Sequence, residues 1–276
     1  MTKKIVIYTS LFLGLTVLLF NCNLSNKLFY GPTKELKYYP DTSIYSVEEI
    51  NIKSNNGKNL NGWFLKPKHD TVFATVLQLH GNGGNISYQY QFSEPLIKKG
   101  FQIMVFDYEG YGKSEGEPTQ QNVLDDAIQA LNYIKQREDV KNKKLILFGQ
   151  SLGGHLAVVV AAKAQKLIDA LIVEDPFSGH IPIAIYHGKK SYHLPKFIPK
   201  MLISSKYEAI DYVDQITISK LFIHSTEDEV CPFYMGKDLF EKAKAPKEFW
   251  EIRGGHIQAS HLYASEFAQK FIDIIK

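Results

Sequence analysis

The stretch Phe148-Gly149-Gln150-Ser151-Leu152-Gly153-Gly154 decides how this chain is read. The run Lys144-Leu145-Ile146-Leu147-Phe148, apolar after its first residue, leads into it. A run of small and apolar residues from Leu156 to Ala164 leads away. A strand, a sharp turn and a helix are predicted, with Ser151 at the apex. The pattern Gly-x-Ser-x-Gly is that of a nucleophile elbow. A serine at the apex of a strained turn needs neighbours without bulky Cβ substituents, so that strand and helix can pass closely. The turn lifts Oγ clear of the sheet and aims the Leu152 N–H at the place where a carbonyl oxygen would sit. Alone, so short a pattern also fits an ordinary glycine-rich loop. The chemical reading therefore depends on partners elsewhere in the chain.

Working outward, the flanking sequence alternates between strand-like and helix-like runs. Val47–Lys53 and Leu60–Leu65 are joined across Asn56-Gly57, a hairpin signal. Val72–Leu79 and Phe101–Phe106 are nearly continuous in apolar residues, as strands buried on both faces are. Gln120–Arg137 places Val123, Leu124, Ala127, Ile128, Leu131 and Ile134 on one helical face. Further strands are predicted at Ala170–Val173, Lys220–His224 and Lys247–Ile252. One helix should open at Pro232 and another near Leu262. The fold class is α/β: a doubly wound, mostly parallel sheet with an N-terminal antiparallel hairpin. Ligands of such sheets sit beyond the carboxyl ends of the strands. Residues 177–218 break the alternation with prolines, several aromatics and Lys189-Lys190. They read as a cap insertion whose aromatics line an acyl or aryl pocket, or equally as a packed surface excursion.

A serine alcohol needs a base within reach and an acid to orient that base. His256 follows the last strand and a Gly254-Gly255 pair, a combination matched by none of the other eight of the chain's nine histidines. Asp228 follows the preceding strand, where the alternative is a helix cap ahead of Pro232. The order Ser151, Asp228, His256 is that of the elbow-bearing fold. Asp175 is a rival acid, because it ends the strand after the elbow helix, and Glu227 and Glu229 are neighbours a shifted loop would use. His80 and His155 read as structural, and His261 as helical. The oxyanion donors expected are the Leu152 and Asn82 N–H groups, the latter from the loop His80-Gly81-Asn82-Gly83-Gly84-Asn85. That loop is not Gly-x-Gly-x-x-Gly. Gly112-Lys113-Ser114 has Asp107 where a phosphate-binding loop needs glycine, so neither phosphate motif holds. No metal-ligand spacing is present, and no cofactor is called for.

Composition narrows the classes further. The 276 residues are 45% hydrophobic and 22% charged, with a net charge of +3 and two cysteines, Cys22 and Cys231. Such a chain builds one large α/β domain. It lacks the basic, aromatic-interleaved stripe of a nucleic-acid binder and any disulfide framework. At the N-terminus Lys3-Lys4 precedes an apolar run of 16 residues, Ile5 to Phe20, and then Asn21-Cys22. This reads as an export signal or an uncleaved membrane anchor over residues 1–22. Cys22 resembles the acylation site of a bacterial lipoprotein signal, although Asn21 is larger than the usual residue before it. Either form puts the domain outside the cytoplasm and at a membrane. Residues 23–45 read as a tether and domain edge, and 46–276 as the folded domain.

Taken in order, the loop Leu79–Asn85, Asp107-Tyr108-Glu109-Gly110-Tyr111-Gly112-Lys113-Ser114, the elbow, His224–Asp228 and Gly255-His256 resemble the α/β-hydrolase superfamily from about residue 45 to the end. The His-Gly-Asn-x-Gly-Asn form is similar to the abhydrolase-domain branch containing membrane-associated depalmitoylases and related esterases. Glu109, Ser225 and Ile257-Gln258 depart from the usual residues at their positions. The resemblance implies a serine hydrolase acting on a small or lipid-like acyl ester or thioester. The alternatives are an amidase or peptidase on the same residues, or a non-catalytic surface lipoprotein that binds a lipid or protein partner.

Overall fold

The computed structural model describes residues 26, 28–68, 72–203 and 206–276. The apolar run Ile5–Phe20 and Cys22 lie outside the described residues. Among the described residues no helix is long and apolar enough to cross a membrane. Eight strands form one sheet: β1 (Tyr45–Lys53), β2 (Asn59–Pro67), β3 (Thr75–Leu79), β4 (Gln102–Phe106), β5 (Leu145–Gln150), β6 (Ala170–Glu174), β7 (Ser219–Ser225) and β8 (Lys247–Ile252). Their spatial order is β8-β7-β6-β5-β3-β4-β2-β1. The six strands from β3 onward run parallel, and β2 pairs antiparallel with both β1 and β4. From β3 the chain crosses to β4 on one side and then returns to β5 on the other. Ligands collect at such a switch point, and the elbow is built there.

The period-two alternation of the central strands feeds two separate cores. Leu145 and Leu147 of β5 pack on one face with Leu77, Leu171 and Phe222. Ile146 and Phe148 pack on the other with Val76, Ile172 and Ile223. The first core is covered by α3 (Gln120–Gln136), α4 (Leu152–Ala164) and α7 (Phe233–Lys242). The second is covered by the short helix α2 (Glu94–Lys98) and by α9 (Ala264–Asp273), through Leu96, Ile97, Phe267 and Phe271. Helix α4 is buried from Leu152 to Ala161, as a helix apolar on every side must be.

Several boundaries differ from the sequence reading, each for a local reason. Helix α4 begins at Leu152 rather than Leu156, because Gly153 and Gly154 are themselves helical. The hairpin expected at Asn56-Gly57 closes through a five-residue loop: the Ser54 N–H donates to Lys58 O, and Gly57 sits at φ +80°. The terminal helix is interrupted at Tyr263, which leaves helical geometry and separates α8 (Ala259–Leu262) from α9. The stretch ahead of β1 is held against the domain edge. Gly31 and Pro32 pair in parallel with Gly83 and Gly84, and Asn85 Nδ2 donates to the carbonyls of Thr33 and Glu35. The cap contains α5 (His180–Tyr192) and α6 (Phe197–Leu202). A short first helix, α1 (Ile86–Gln89), is capped by the Asn85 side chain, which accepts from Ser87 N.

Candidate active site

Ser151 occupies φ +54°, ψ −116°, a conformation L residues rarely adopt. Its amide donates to Glu174 O at 2.9 Å, which ties the turn to the neighbouring strand. The flanking glycines are required by contact. A Cβ on Gly153 would sit inside the Leu79 carbonyl, and one on Gly149 inside the Gly153 carbonyl. Strand, turn and helix therefore pack backbone to backbone, and the strain at Ser151 is held by this enclosure.

His256 and Asp228, predicted on two different loops, are brought together. Nδ1 of His256 and Oδ2 of Asp228 are 2.7 Å apart. Asp228 Oδ1 accepts the N–H groups of Val230 and Cys231 at 2.7 and 2.9 Å, so the carboxylate is fixed at both oxygens. With Nδ1–H donating to Asp228, the Nε2 lone pair of His256 is free to take a proton. Burial works to lower the His256 pKa. The Asp228 hydrogen bond and the charges of Asp228, Asp175 and Glu174 outweigh burial and hold it above the ordinary histidine value.

Asp175 also lies near this imidazole, at 3.8 Å from Nδ1, but its oxygens are engaged elsewhere. Oδ1 accepts from Ser225 N at 2.9 Å and Oδ2 from Ile257 N at 2.6 Å. Those two amides belong to the loops that carry Asp228 and His256. Asp175 thereby clamps both loops, and it holds Ile257 at φ +57°, strained for a β-branched residue. Burial, and next to it the Asp228 charge, push the Asp175 pKa up. Glu227 accepts from Gly254 N, and Glu229 pairs with Lys190, so both acids have other partners. Ser225, unusual at its position, donates its hydroxyl to Gly254 O and supports the same loop.

Beneath these loops runs a buried polar row that sequence reading missed. The Ser93 hydroxyl donates to Gln78 Oε1, Gln78 Nε2 to Gln150 Oε1, and Gln150 Nε2 to Glu174 Oε2. Glu174 Oε1 accepts from Ala259 N, just beyond His256. Gln78, Gln150 and Glu174 stand at or near the ends of three adjacent parallel strands. That signal becomes visible only once the strand order is known.

Asn82 and Leu152 both line the cavity above Ser151. The Asn82 side chain is fixed by Gly31 N at 2.6 Å and by the Tyr111 hydroxyl at 3.3 Å. Its own N–H has no backbone partner among the described residues. Leu152 begins a helix, so its N–H has no intrahelical acceptor. His80 is fully buried, with Nδ1 against Gly81 O, and burial lowers its pKa to about 4. His155 is likewise buried in the elbow helix, between the carbonyls of Phe177 and Tyr207. His261 lies on α8 against the Phe92 ring.

The polar contact of Ser151 Oγ in this structure is with Cys231 Sγ at 3.9 Å, and no hydrogen bond joins it to His256 among the described residues. Catalytic hydrogen bonds are often long or unformed before substrate binds. Cys231 carried no signal in the sequence, and it lines the cavity. So do Leu28 and Phe29, from the stretch read as a tether. The cavity holds about 320 Å³. Its cap wall is mainly aliphatic (Ile183, Leu194, Ile198, Leu202 and Ile203), with Phe177 and Tyr192 as the aromatic members. Two aromatics of the cap thus line the cavity, within a wall that is mostly aliphatic.

Ligand-capable atoms of Asp175, Asp228 and His256 lie within 4.8 Å of one another, a spacing open to a cation. Three of the four carboxylate oxygens, however, already accept backbone N–H groups, and the fourth accepts from His256. The donor set suits an oriented imidazole better than a metal.

Comparison with known proteins agrees with this architecture. A family profile for the alpha/beta hydrolase fold matches residues 74–202. The chain is 32% identical over 252 residues to the uncharacterized protein YfhR of Escherichia coli (strain K12), covering 86% of this chain and 85% of that one. It is 31% identical over 238 residues to the alpha/beta hydrolase domain-containing protein WAV2 of Arabidopsis thaliana, covering 79% and 75%. Among solved structures, the Pyrococcus furiosus esterase Pf2001 is similar at a TM-score of 0.75 and 17% identity, over 90% of this chain and 97% of that one. Est1E from Butyrivibrio proteoclasticus, solved with ferulic acid, is similar at 0.68 and 22%, over 82% and 99%. At these identities the structural likeness is one of fold. With relatives above 30% identity across most of its length, the chain belongs to the α/β-hydrolase family.

Proposed function

We propose that this protein is a serine hydrolase that cleaves a carboxylic ester or thioester with an apolar acyl group, through an acyl-enzyme. The observation that carries the reading is the placement of Ser151 on the wall of an apolar cavity, on the elbow that a hydrogen-bonded His256–Asp228 pair serves. The fold relative Pf2001 is an esterase by name, which supports the ester class.

In the proposed reaction Ser151 Oγ attacks the acyl carbonyl while its proton passes to His256 Nε2. Asp228 stabilises the imidazolium that forms. The carbonyl oxygen becomes an anion held by the Asn82 and Leu152 N–H groups. Collapse breaks the bond to the leaving alcohol or thiol, which takes the proton from His256 and departs. Water then attacks the acyl-serine, losing its proton to His256, and the acid is released with Ser151 restored. The aliphatic wall binds the acyl chain, since each buried methylene contributes about 0.8 kcal/mol. We also place the protein at a membrane, outside the cytoplasm, on the strength of Lys3-Lys4 and the Ile5–Phe20 run, with Cys22 as a candidate acylation site.

The test is hydrolysis of p-nitrophenyl esters from acetate to palmitate. A rise in kcat/KM with chain length up to an optimum is expected. Equal rates across the series, or amide turnover exceeding ester turnover, would contradict the substrate assignment.

A further inference from the structure

The cap carries apolar side chains on two faces. Ile198 and Leu202, four residues apart on α6, line the cavity. Phe197 and Met201, also four apart, are 62% and 64% exposed. Adjacent residues of a helix point about 100° apart, so the outward pair borders the inward pair in one broad apolar arc. Tyr192 is 74% exposed while lining the cavity, and Leu194 and Leu28 are also exposed lining residues. Residues that line a cavity and still meet solvent mark its rim.

The same segment is strongly basic. Residues 180–207 contain Lys189, Lys190, Lys196, Lys200 and Lys206 and no carboxylate. Those five charges exceed the net +3 of the whole chain, so the remainder is net −2. Lys190 pairs with Glu229, and Glu208, Asp211 and Asp214 follow later in the cap, while Lys196 and Lys200 stand beside the exposed Phe197 and Met201. On α6, Lys200 flanks Phe197 and Met201, as basic residues flank the apolar face of helices that lie on membranes.

The chain path adds a distance. Leu28 on the cavity rim lies eight residue steps after Phe20, the end of the N-terminal apolar run. Fully extended, those steps span at most about 28 Å. If that run lies in a bilayer, the rim is held within this distance of it.

We propose that the cap docks on an anionic bilayer surface, with Phe197, Met201 and Tyr192 entering the headgroup region and Lys196 and Lys200 pairing with lipid phosphates. The cavity then opens toward the lipid, and its substrate is an acyl ester resident in the membrane. The substrate part rests on the ester-hydrolase reading; the docking part does not.

The test uses the full chain reconstituted in vesicles. Both native tryptophans, Trp63 and Trp250, are buried, so Phe197→Trp reports on the cap. In vesicles containing about one-third phosphatidylglycerol with brominated acyl chains, quenching and a blue shift of the introduced tryptophan are expected. The added changes K196Q and K200Q should weaken this docking about 25-fold, since each lysine near an anionic surface contributes about fivefold. The ratio of turnover on a vesicle-embedded long-chain ester to turnover on soluble p-nitrophenyl acetate should fall with it. Met201→Trp repeats the measurement should the first substitution disturb folding. Absence of quenching in both variants would overturn the docking proposal and leave the cap to a protein partner. Equal quenching in neutral and anionic vesicles would overturn the role of the lysines. Quenching without ester turnover would keep the docking and overturn the substrate.

Discussion

The loops at the strand ends and the cap above them are built on opposite principles. At the strand ends the polar side chains are held by short bonds. Asp228 takes three hydrogen bonds, Asp175 two, and Glu174 two. The cap turns Ile198 and Leu202 inward, and Phe197 and Met201 outward to solvent. Its base holds the buried His180 imidazole 3.6 Å from the Glu208 carboxylate. The rigid region is suited to chemistry, which tolerates little displacement. The apolar region is suited to choosing a substrate, where shape matters more than exact register. Changes at the strand ends should therefore alter kcat, and changes in the cap should alter chain-length preference.

The largest effect expected is from Ser151→Ala. Ester kcat should fall by about 10⁶-fold with an unchanged circular dichroism spectrum. Retained turnover would remove the strand-end loops from the chemistry. Next, the two carboxylates near His256 can be separated by substitution. Asp228→Asn should lower kcat about 10⁴-fold, because the amide favours the wrong imidazole tautomer. Asp175→Asn should cost only about tenfold in kcat, but about 1–3 kcal/mol of stability in urea titration, because a buried loop amide loses its acceptor. The reverse ranking would make Asp175 the orienting acid.

In the cap, Gly188 lies on the cavity, and a Cβ there would meet only ordinary contacts with Pro199 and Leu194. Gly188→Leu should reduce kcat/KM for the longest esters about tenfold or more and move the optimum to shorter chains, with the acetate least affected. A uniform loss across the series would break the division between the two regions. The smallest effect is on pH. The neutral form of His256 is the base, so kcat/KM should fall on acidification as it protonates, with a midpoint above the ordinary histidine value. Asp175→Asn removes one of the charges that raise it, so that midpoint should move to lower pH. A shift to higher pH would contradict the electrostatic account.

How much of this was legible in the sequence follows the same division. The elbow announces itself because only glycine fits at Gly149 and Gly153, and the buried strands because both of their faces are apolar. His256 and Asp228 are signalled by their places after successive strands. The division of labour between Asp228 and Asp175 is not, since it depends on which backbone amides face each carboxylate. Nor is the Gln78–Gln150–Glu174 row, which needs the spatial order β6-β5-β3 to bring distant positions side by side. The cap gave its composition but neither its helices nor its aliphatic lining. Its short apolar runs are broken by prolines and have no period that separates inner from outer faces.

Labelling with a fluorophosphonate, followed by peptide mass analysis, tests the central claim most directly. A single adduct on Ser151, absent in Ser151→Ala and much slower in His256→Ala, is the predicted result. Ester turnover with no adduct on Ser151, or an adduct at another residue whose loss abolishes turnover, would contradict it.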